Sequence, residues 1–119
     1  MKVSRGDVVL LDFPFSDATG SKVRPAVVVQ SDLHNRRMTS TIVVLVTKTI
    51  RRARREPTQF LIRADSPVGK ASGLHFDSAV ACASLYTVHE DHVPYRIGRL
   101  PESLIPRLDG CLKAALGIA

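Results

Sequence analysis

Residues 6–30 decide the fold, and their sequence is GDVVLLDFPFSDATGSKVRPAVVVQ. Two apolar runs rich in β-branched residues flank a loop of small polar residues over 16–22. Branched side chains favour extended backbone, and a glycine-containing polar loop between two such runs is typical of a turn. The stretch therefore predicts two strands, over 7–13 and 24–30, joined by that loop.

Beyond this pair, the pattern predicts further strands and one C-terminal helix. We expect a short helix or turn over 31–39, strands over 41–47, 59–63 and 77–88, the last bent near Ala83 and Ser84, and a loop over 64–73. Apolar residues recur at helical spacing after Ser103, the expected N-cap, and stop at Gly117. The predicted fold class is mainly β: a small, strongly bent sheet or barrel with one helix packed on it.

Length and composition limit the classes of protein. The chain has 119 residues, which predicts one domain over 1–119. Its 17 basic and 11 acidic residues leave a net charge of +6, which favours a polyanionic partner, nucleic acid before an anionic surface. No window approaches the roughly 20 apolar residues of a membrane span, so we expect a cytoplasmic protein with no membrane partner. Cys82 and Cys111 have no metal-binding spacing, so we expect buried, reduced thiols.

The positive charge is concentrated over 48–63, which holds six basic residues and Glu56, a net +5. A flexible basic loop beside a site suits a nucleic-acid backbone, and Lys48, Arg51 and Arg52 are its candidate contacts. The alternative is a solvated loop that only keeps other chains apart.

Two residues at the ends of predicted strands are candidates for chemistry. Arg24 opens the second strand beside the polar loop, and a guanidinium there can direct two donors at a phosphate. Thr47 ends the apolar run TIVVLVT, where its hydroxyl could bind phosphate or orient a ribose hydroxyl. From spacing alone, each has a plainer interpretation: Arg24 as an ordinary strand-edge arginine, and Thr47 as a residue with high β-propensity.

The sequence contains no motif for a metal or a cofactor. The run HEDH over 89–92 lacks the HExxH spacing, and neighbouring side chains of an extended segment point to opposite sides. Signatures for phosphate-binding loops, nucleophile elbows and dinucleotide binding are absent as well. We therefore expect no metal and no cofactor, while a histidine acting as general acid or base stays open.

The run RGDVVLLDFPFSDATGSKVRPAVVVQSD over 5–32 resembles the N-terminal half of the MazF/PemK family of toxin–antitoxin ribonucleases. The resemblance continues through TIVVLVTKT, through GLHFDSAV, through Tyr86-Thr87-Val88 and through IGRLPESLIPRLDGCLKAALGI. It covers nearly the whole chain, and the spacing from the RGD start to Arg24-Pro25 and on to Thr47 makes it specific.

This resemblance implies a compact SH3-like β-barrel with a C-terminal helix, MazF/PemK/CcdB-like, that forms a homodimer. It implies metal-independent, sequence-selective cleavage of single-stranded RNA, in which the ribose 2′-hydroxyl attacks the adjacent phosphate. The products are a cyclic phosphate and a free 5′-hydroxyl, and the loss of mRNA inhibits translation and growth. The implied partner is a cognate antitoxin that inserts a disordered, acidic tail across the site.

The resemblance also assigns residues. Arg24 falls on the family's catalytic arginine, Thr47 on its strand-end threonine or serine, and residues 20–22 on the mobile loop that covers the substrate. The expected substrate-binding set is Asp17, Gly20, Ser21, Lys22, Pro25, His34, Lys48, Arg51, Arg52 and Ser78.

The chain departs from the family at three positions. Many members have Arg-Thr where this chain has Tyr86-Thr87, and the arginine and aspartate of PemK-type members align with Ala81 and Ala83. The chemistry is therefore expected to depend on Arg24 and Thr47, helped by His34 or Asp17.

Two alternative functions share this fold. An SH3-like toxin of the gyrase-poisoning type would bind a protein and cut nothing. Such toxins rely on an apolar C-terminal tail with tryptophan, and this chain has no Trp. The other alternative is a family member that binds RNA without cleaving it.

Overall fold

The computed structural model describes residues 1–13 and 22–119, without the side chains of Phe13 and Lys22. Within that part of the chain, the strands are β1 (Asp7–Phe13), β2 (Lys22–Val28), β3 (Ser40–Thr47), β4 (Gln59–Ile62), β5 (Ser78–His89) and β6 (Tyr95–Arg99). The α-helices are α1 (Asp32–Arg37), α2 (Pro67–Ser72) and α3 (Ile105–Leu116), with 3-10 turns at Glu90–His92 and Glu102–Leu104. The strands pair antiparallel in the order β4-β5-β3-β2-β1-β6. This bent half-barrel with a C-terminal helix confirms the predicted mainly β, SH3-like class.

Each face of the sheet has its own hydrophobic cluster. Val8 and Val27 belong to the cluster that packs under α3, whereas their neighbours Val9 and Val28 belong to the cluster on the other face. All four side chains are fully buried. Successive side chains of a strand point to opposite faces, so a strand covered on both faces has a continuous apolar sequence, as β1 and β2 do.

The C-terminal helix forms as its apolar spacing predicts. Leu108 and Cys111 of α3 are buried in the cluster on the sheet, and Gly117 ends the helix in the left-handed region at φ 69°. The prediction of Ser103 as N-cap is wrong. Ser103 lies inside the preceding 3-10 turn, and Leu104 occupies the cap position without a side-chain hydrogen bond.

The expected loop over 64–73 contains a helix, α2, and this prediction is therefore wrong. The Ser66 hydroxyl accepts a hydrogen bond from the Gly69 N–H at 3.0 Å, and Pro67 occupies the first turn. Gly73 ends the helix at φ 75°, where a Cβ atom would collide with the Ile97 carbonyl. These cap and stop signals are visible in the sequence, but six residues are too few to show a helical apolar period.

Strand β6 was not predicted, because its residues show no clear alternation of apolar and polar side chains. It lies at the edge of the sheet beside β1, and the pairing shifts register between Val8 and Val9. Its Arg99 donates to the carboxylate of Asp7 at 2.9 Å, and Asp7 is only 2% exposed. The buried carboxylate therefore links β1 to the edge strand β6.

The long strand β5 bends where expected. Its register against β3 changes from the pair Val44–Leu85 to the pair Leu45–Ala81. The extra residues on β5 lie between these pairs and include Ala83 and Ser84, which confirms the predicted bend. A bulge of this kind increases local twist and curvature, and it lets β5 pair with β3 along its whole length and with β4 at its start.

Candidate active site

The candidate site lies where β2 and β3 separate. Their pairing runs from Val28–Val43 to Ala26–Leu45 and ends there. The next residue of β2 is Pro25, which has no N–H with which to extend a ladder. The strands open beyond this point, and an open end between two strands exposes side chains that a continued sheet would cover.

A groove with a volume of about 410 Å³ occupies this opening. Five of the residues predicted from sequence line it together: Arg24, Pro25, Thr47, Lys48 and Ser78. Its other described lining residues are Leu10, Val23, Val46, Gly73, Leu74, His75, Phe76 and Ile97. The groove therefore combines apolar walls with two cationic side chains and two hydroxyls, a composition suited to a ligand with anionic and apolar parts.

Arg24 is half-buried in the groove wall. Elsewhere in the protein, Arg5 and Arg99 form ion pairs with carboxylates at 2.7 and 2.9 Å. Among residues 1–13 and 22–119, no carboxylate forms an ion pair with Arg24. Its charge is therefore not neutralised by an ion pair within that part of the chain, and Arg24 lines the groove.

The side chain of Thr47 is held by the backbone of Thr49. Its hydroxyl oxygen accepts a hydrogen bond from the Thr49 N–H at 3.1 Å, which restricts the side chain at the end of β3. The hydroxyl still has its own proton to donate, because this bond uses only a lone pair of the oxygen. Thr47 can therefore offer a positioned donor to a ligand oxygen.

Ser78 lines the groove but supports it rather than facing a ligand freely. The residue is 3% exposed, and its hydroxyl donates to the Phe76 carbonyl at 2.7 Å. Lys48 is exposed, and its ammonium lies 4.0 Å from the centroid of the Phe76 ring. Ser78 therefore hydrogen-bonds to the backbone of Phe76, and Lys48 contacts its ring.

Two groove residues, His75 and Phe76, were not singled out in the sequence. Both are exposed, and Phe76 keeps 58% of its surface accessible to solvent. The string GLHFDS contains them, but no spacing rule connects it with Arg24 or Thr47. Only the packing of the segment between α2 and β5 brings them to the groove.

The structure does not bring His34 to the groove. His34 lies on α1, whose chain leads into the start of β3, whereas Thr47 is at the other end of that strand. At about 3.3 Å per residue, the length of β3 separates the two ends by more than 20 Å. The expectation that His34 helps the chemistry at Arg24 and Thr47 has no support from this placement.

The remaining predicted residues divide into two groups. Arg51 and Arg52 are exposed and do not line the groove; their neighbours Arg54 and Arg55 line a separate pocket against α3, together with Arg107. Asp17, Gly20 and Ser21 lie outside the described residues, and Lys22 is described only as the first residue of β2.

The HEDH run has a local structural role. The Nδ1 atom of His89 accepts a hydrogen bond from the Asp91 N–H at 3.0 Å and so caps the 3-10 turn Glu90–His92. Within residues 1–13 and 22–119, no group of three or more His, Cys, Asp or Glu side chains is placed to share a metal ion.

None of the helices in the described part of the chain is long and apolar enough to cross a membrane.

The two cysteines are free and buried, as predicted. Burial raises the pKa of the Cys82 thiol to about 12, and it also raises the pKa of Cys111. Both thiols therefore stay protonated near neutral pH, where the thiolate that reacts as a nucleophile or metal ligand is scarce.

Two curated endoribonucleases are similar to this chain in sequence. The chain is 31% identical to endoribonuclease EndoA of Bacillus subtilis, over 99% of this chain and 97% of that protein. It is 29% identical to endoribonuclease MazF of Staphylococcus epidermidis, over 98% and 92% of the two chains.

Solved structures show the same fold. An endoribonuclease in complex with its cognate antitoxin, from a mycobacterial species, superposes with a TM-score of 0.77 at 20% identity, covering 98% of this chain and 97% of that one. A MazE–MazF structure from Deinococcus radiodurans gives a TM-score of 0.73 at 19% identity and covers all of both chains. The family model for PemK-like, MazF-like toxins matches residues 4–116, and the chain therefore belongs to this family of type II toxin–antitoxin toxins.

Proposed function

We propose that this toxin is an endoribonuclease that cuts single-stranded RNA at selected sequences without a metal ion. The observation that carries the proposal is the meeting of Arg24 and Thr47 at one groove, at the open end of β2 and β3. The curated relatives named above are endoribonucleases. Cleavage of mRNA by this chain would inhibit translation in the cytoplasm.

The proposed reaction is an internal transfer within the RNA. The ribose 2′-oxygen attacks the adjacent phosphorus, the bond from phosphorus to the 5′-oxygen breaks, and the products are a cyclic phosphate and a 5′-hydroxyl. Negative charge grows on the non-bridging oxygens in the transition state. Arg24 stabilises that charge, and Thr47 donates to a phosphate oxygen or holds the attacking hydroxyl in line.

Proton transfer needs a further group, because neither side chain is a suitable base at neutral pH. His75 is the one histidine among the described lining residues of the groove, and its side chain is exposed. We assign proton transfer to His75, in place of the His34 suggested by the sequence. An imidazole can accept or donate a proton near neutral pH without any change in backbone position.

The proposed partners follow from charge and family. A net charge of +6 suits both an RNA substrate and the acidic tail of an antitoxin. Two solved structures with this fold contain an antitoxin, which supports the proposal of a cognate antitoxin here. We also propose that the chain acts as a single domain and as a homodimer.

The direct test is cleavage of RNA in the presence of EDTA. Arg24→Ala should lower kcat by about 10²-fold or more, the scale of losing a charge contact made in the transition state. Arg37→Ala is the matched control, because Arg37 is an exposed arginine on α1 and its loss changes the net charge equally. Full activity of Arg24→Ala would reject the mechanism, and a folded wild-type protein that cuts no RNA would favour a toxin that binds without cleaving.

A further inference from the structure

Phe76 is a large, exposed aromatic side chain at the edge of the groove. It is a large apolar ring with 58% of its surface exposed, on the segment between α2 and β5. Among the described lining residues it is the one Phe, Tyr or Trp. An aromatic side chain beside a cationic groove is the combination with which many proteins bind single-stranded nucleic acid.

The segment that carries Phe76 is held in place on both sides. The Asp77 carboxylate accepts a hydrogen bond from the Ala64 N–H at 2.8 Å, and the Ser78 hydroxyl donates to the Phe76 carbonyl at 2.7 Å. Gly73 packs so closely on the Ile97 carbonyl that no larger residue fits there. The ring is therefore presented by a positioned backbone, and a ligand need not order that backbone on binding.

Lys48 completes the arrangement from the residue that directly follows β3. Its ammonium lies 4.0 Å from the ring centroid, a cation–π contact, and it directly follows Thr47. An aromatic surface and an ammonium group are thus placed next to each other and next to Thr47. A nucleotide has the matching pair of features, since a flat base is joined to a charged phosphate.

We propose that Phe76 and Lys48 form a nucleobase subsite, in which a base of single-stranded RNA stacks on the face of the Phe76 ring opposite Lys48, and Lys48 contacts an adjacent phosphate. The subsite rests on the proposed function, because it positions RNA beside Arg24 and Thr47. Every base has a π-face, so stacking on Phe76 supplies affinity for any unpaired base. A base inside a duplex is already stacked between its neighbours and cannot stack on the ring. Asp77 and Ser78 are positioning residues for the ring.

The test uses RNA that cannot be cut. Short 2′-O-methyl oligomers of a single base lack the attacking hydroxyl, and abasic oligomers of equal length have the same phosphates without bases. Binding of the full chain to fluorescein-labelled forms of both is measured by anisotropy over a range of salt concentrations. The variants are Phe76→Ala, Phe76→Leu, Phe76→Trp and Lys48→Ala. Tyr95→Ala is the matched control, since Tyr95 is 62% exposed and lies outside the groove lining.

Phe76→Ala should weaken binding of the base-bearing oligomer by about tenfold and leave the abasic oligomer unaffected. Phe76→Leu should behave like Phe76→Ala because it has no π-face, whereas Phe76→Trp should retain binding. Lys48→Ala should weaken both oligomers and reduce the salt slope by about 0.7, the value of one phosphate contact on a single strand. Tyr95→Ala should change neither oligomer.

Four results would overturn the subsite. The first is that Phe76→Ala binds both oligomers as tightly as wild type does. The second is that wild type binds no base-bearing oligomer at low salt. The third is that Phe76→Ala loses the same affinity for both oligomers. The fourth is that Phe76→Ala dissociates a dimer in sedimentation, which would place the ring against a second copy of the chain. Because these oligomers cannot be cut, a protein that cleaves RNA but stacks no base rejects only the subsite. A protein that stacks a base but cleaves nothing rejects only the ribonuclease.

Discussion

Arg24 and Thr47 occupy matched positions on β2 and β3, each two residues beyond the last paired couple, Ala26 and Leu45. A continued ladder would have placed them opposite each other inside the sheet. Pro25 has no N–H to extend the ladder, and the two residues instead line an open groove. Two positions far apart in the sequence thereby line the same groove, where we propose that RNA binds.

The hydroxyl of Thr47 can be tested separately from its shape. Thr47→Val keeps the branched side chain but removes the donor, and it should lower kcat by about 10²-fold. Thr47→Ser keeps the hydroxyl and should retain most of the activity. Single-turnover RNA cleavage measures both variants, and similar rates for the two would show that the hydroxyl is not used.

The role of His75 predicts a change in the pH dependence of the reaction. His75→Gln should lower kcat/KM and remove one limb of the pH–rate profile, because glutamine cannot transfer a proton. His34→Gln is the matched control, since His34 is also exposed but lies on α1, away from the groove. Unchanged pH–rate profiles for both variants would show that neither His75 nor His34 transfers the proton.

The carboxylate of Asp7 predicts an effect on stability. It accepts from Arg99 at 2.9 Å and from the Ser4 N–H at 2.8 Å. Asp7→Asn should lower the free energy of unfolding by about 2 kcal/mol, the scale of hydrogen bonds to a charged group. Urea unfolding measures this change.

A control for Asp7→Asn is available in the same protein. Asp65 pairs with Arg63 at 3.8 Å, and its side chain is 83% exposed. Asp65→Asn makes the same change of charge and should alter the free energy of unfolding by less than about 1 kcal/mol, as for other exposed pairs. Equal effects of the two substitutions would show that the hydrogen bonds of Asp7 add no more to the free energy of unfolding than an exposed ion pair does.

The buried thiol of Cys82 predicts a loss of stability in alkaline solution. Its folded pKa is raised by burial from an ordinary value of 9.0 to about 12, so the unfolded chain loses this proton first. The contribution to stability is therefore complete below pH 9.0 and is lost as the pH rises towards 12. Cys82→Ala should flatten the fall in unfolding free energy over this range, and an identical pH dependence in both proteins would contradict the assignment.

The local pattern of the sequence was sufficient for the elements with strong apolar signals. β1 and β3 are continuous apolar runs, as expected of strands buried on both faces, and α3 has apolar residues at helical spacing that stop before Gly117. Arg24 and Thr47 were marked by their positions at strand ends and by the family resemblance. The bend in β5 was also expected.

Tertiary structure alone decided which residues share the groove. His75 and Phe76 reach it because Asp77 binds the backbone of Ala64 and Gly73 packs on Ile97, contacts that join distant parts of the chain. His34 is kept away by the length of β3. Such placements depend on long-range packing, which a local pattern of apolar residues does not encode. Strands and helices depend on burial and on backbone preference, and both can be read from a short stretch of sequence.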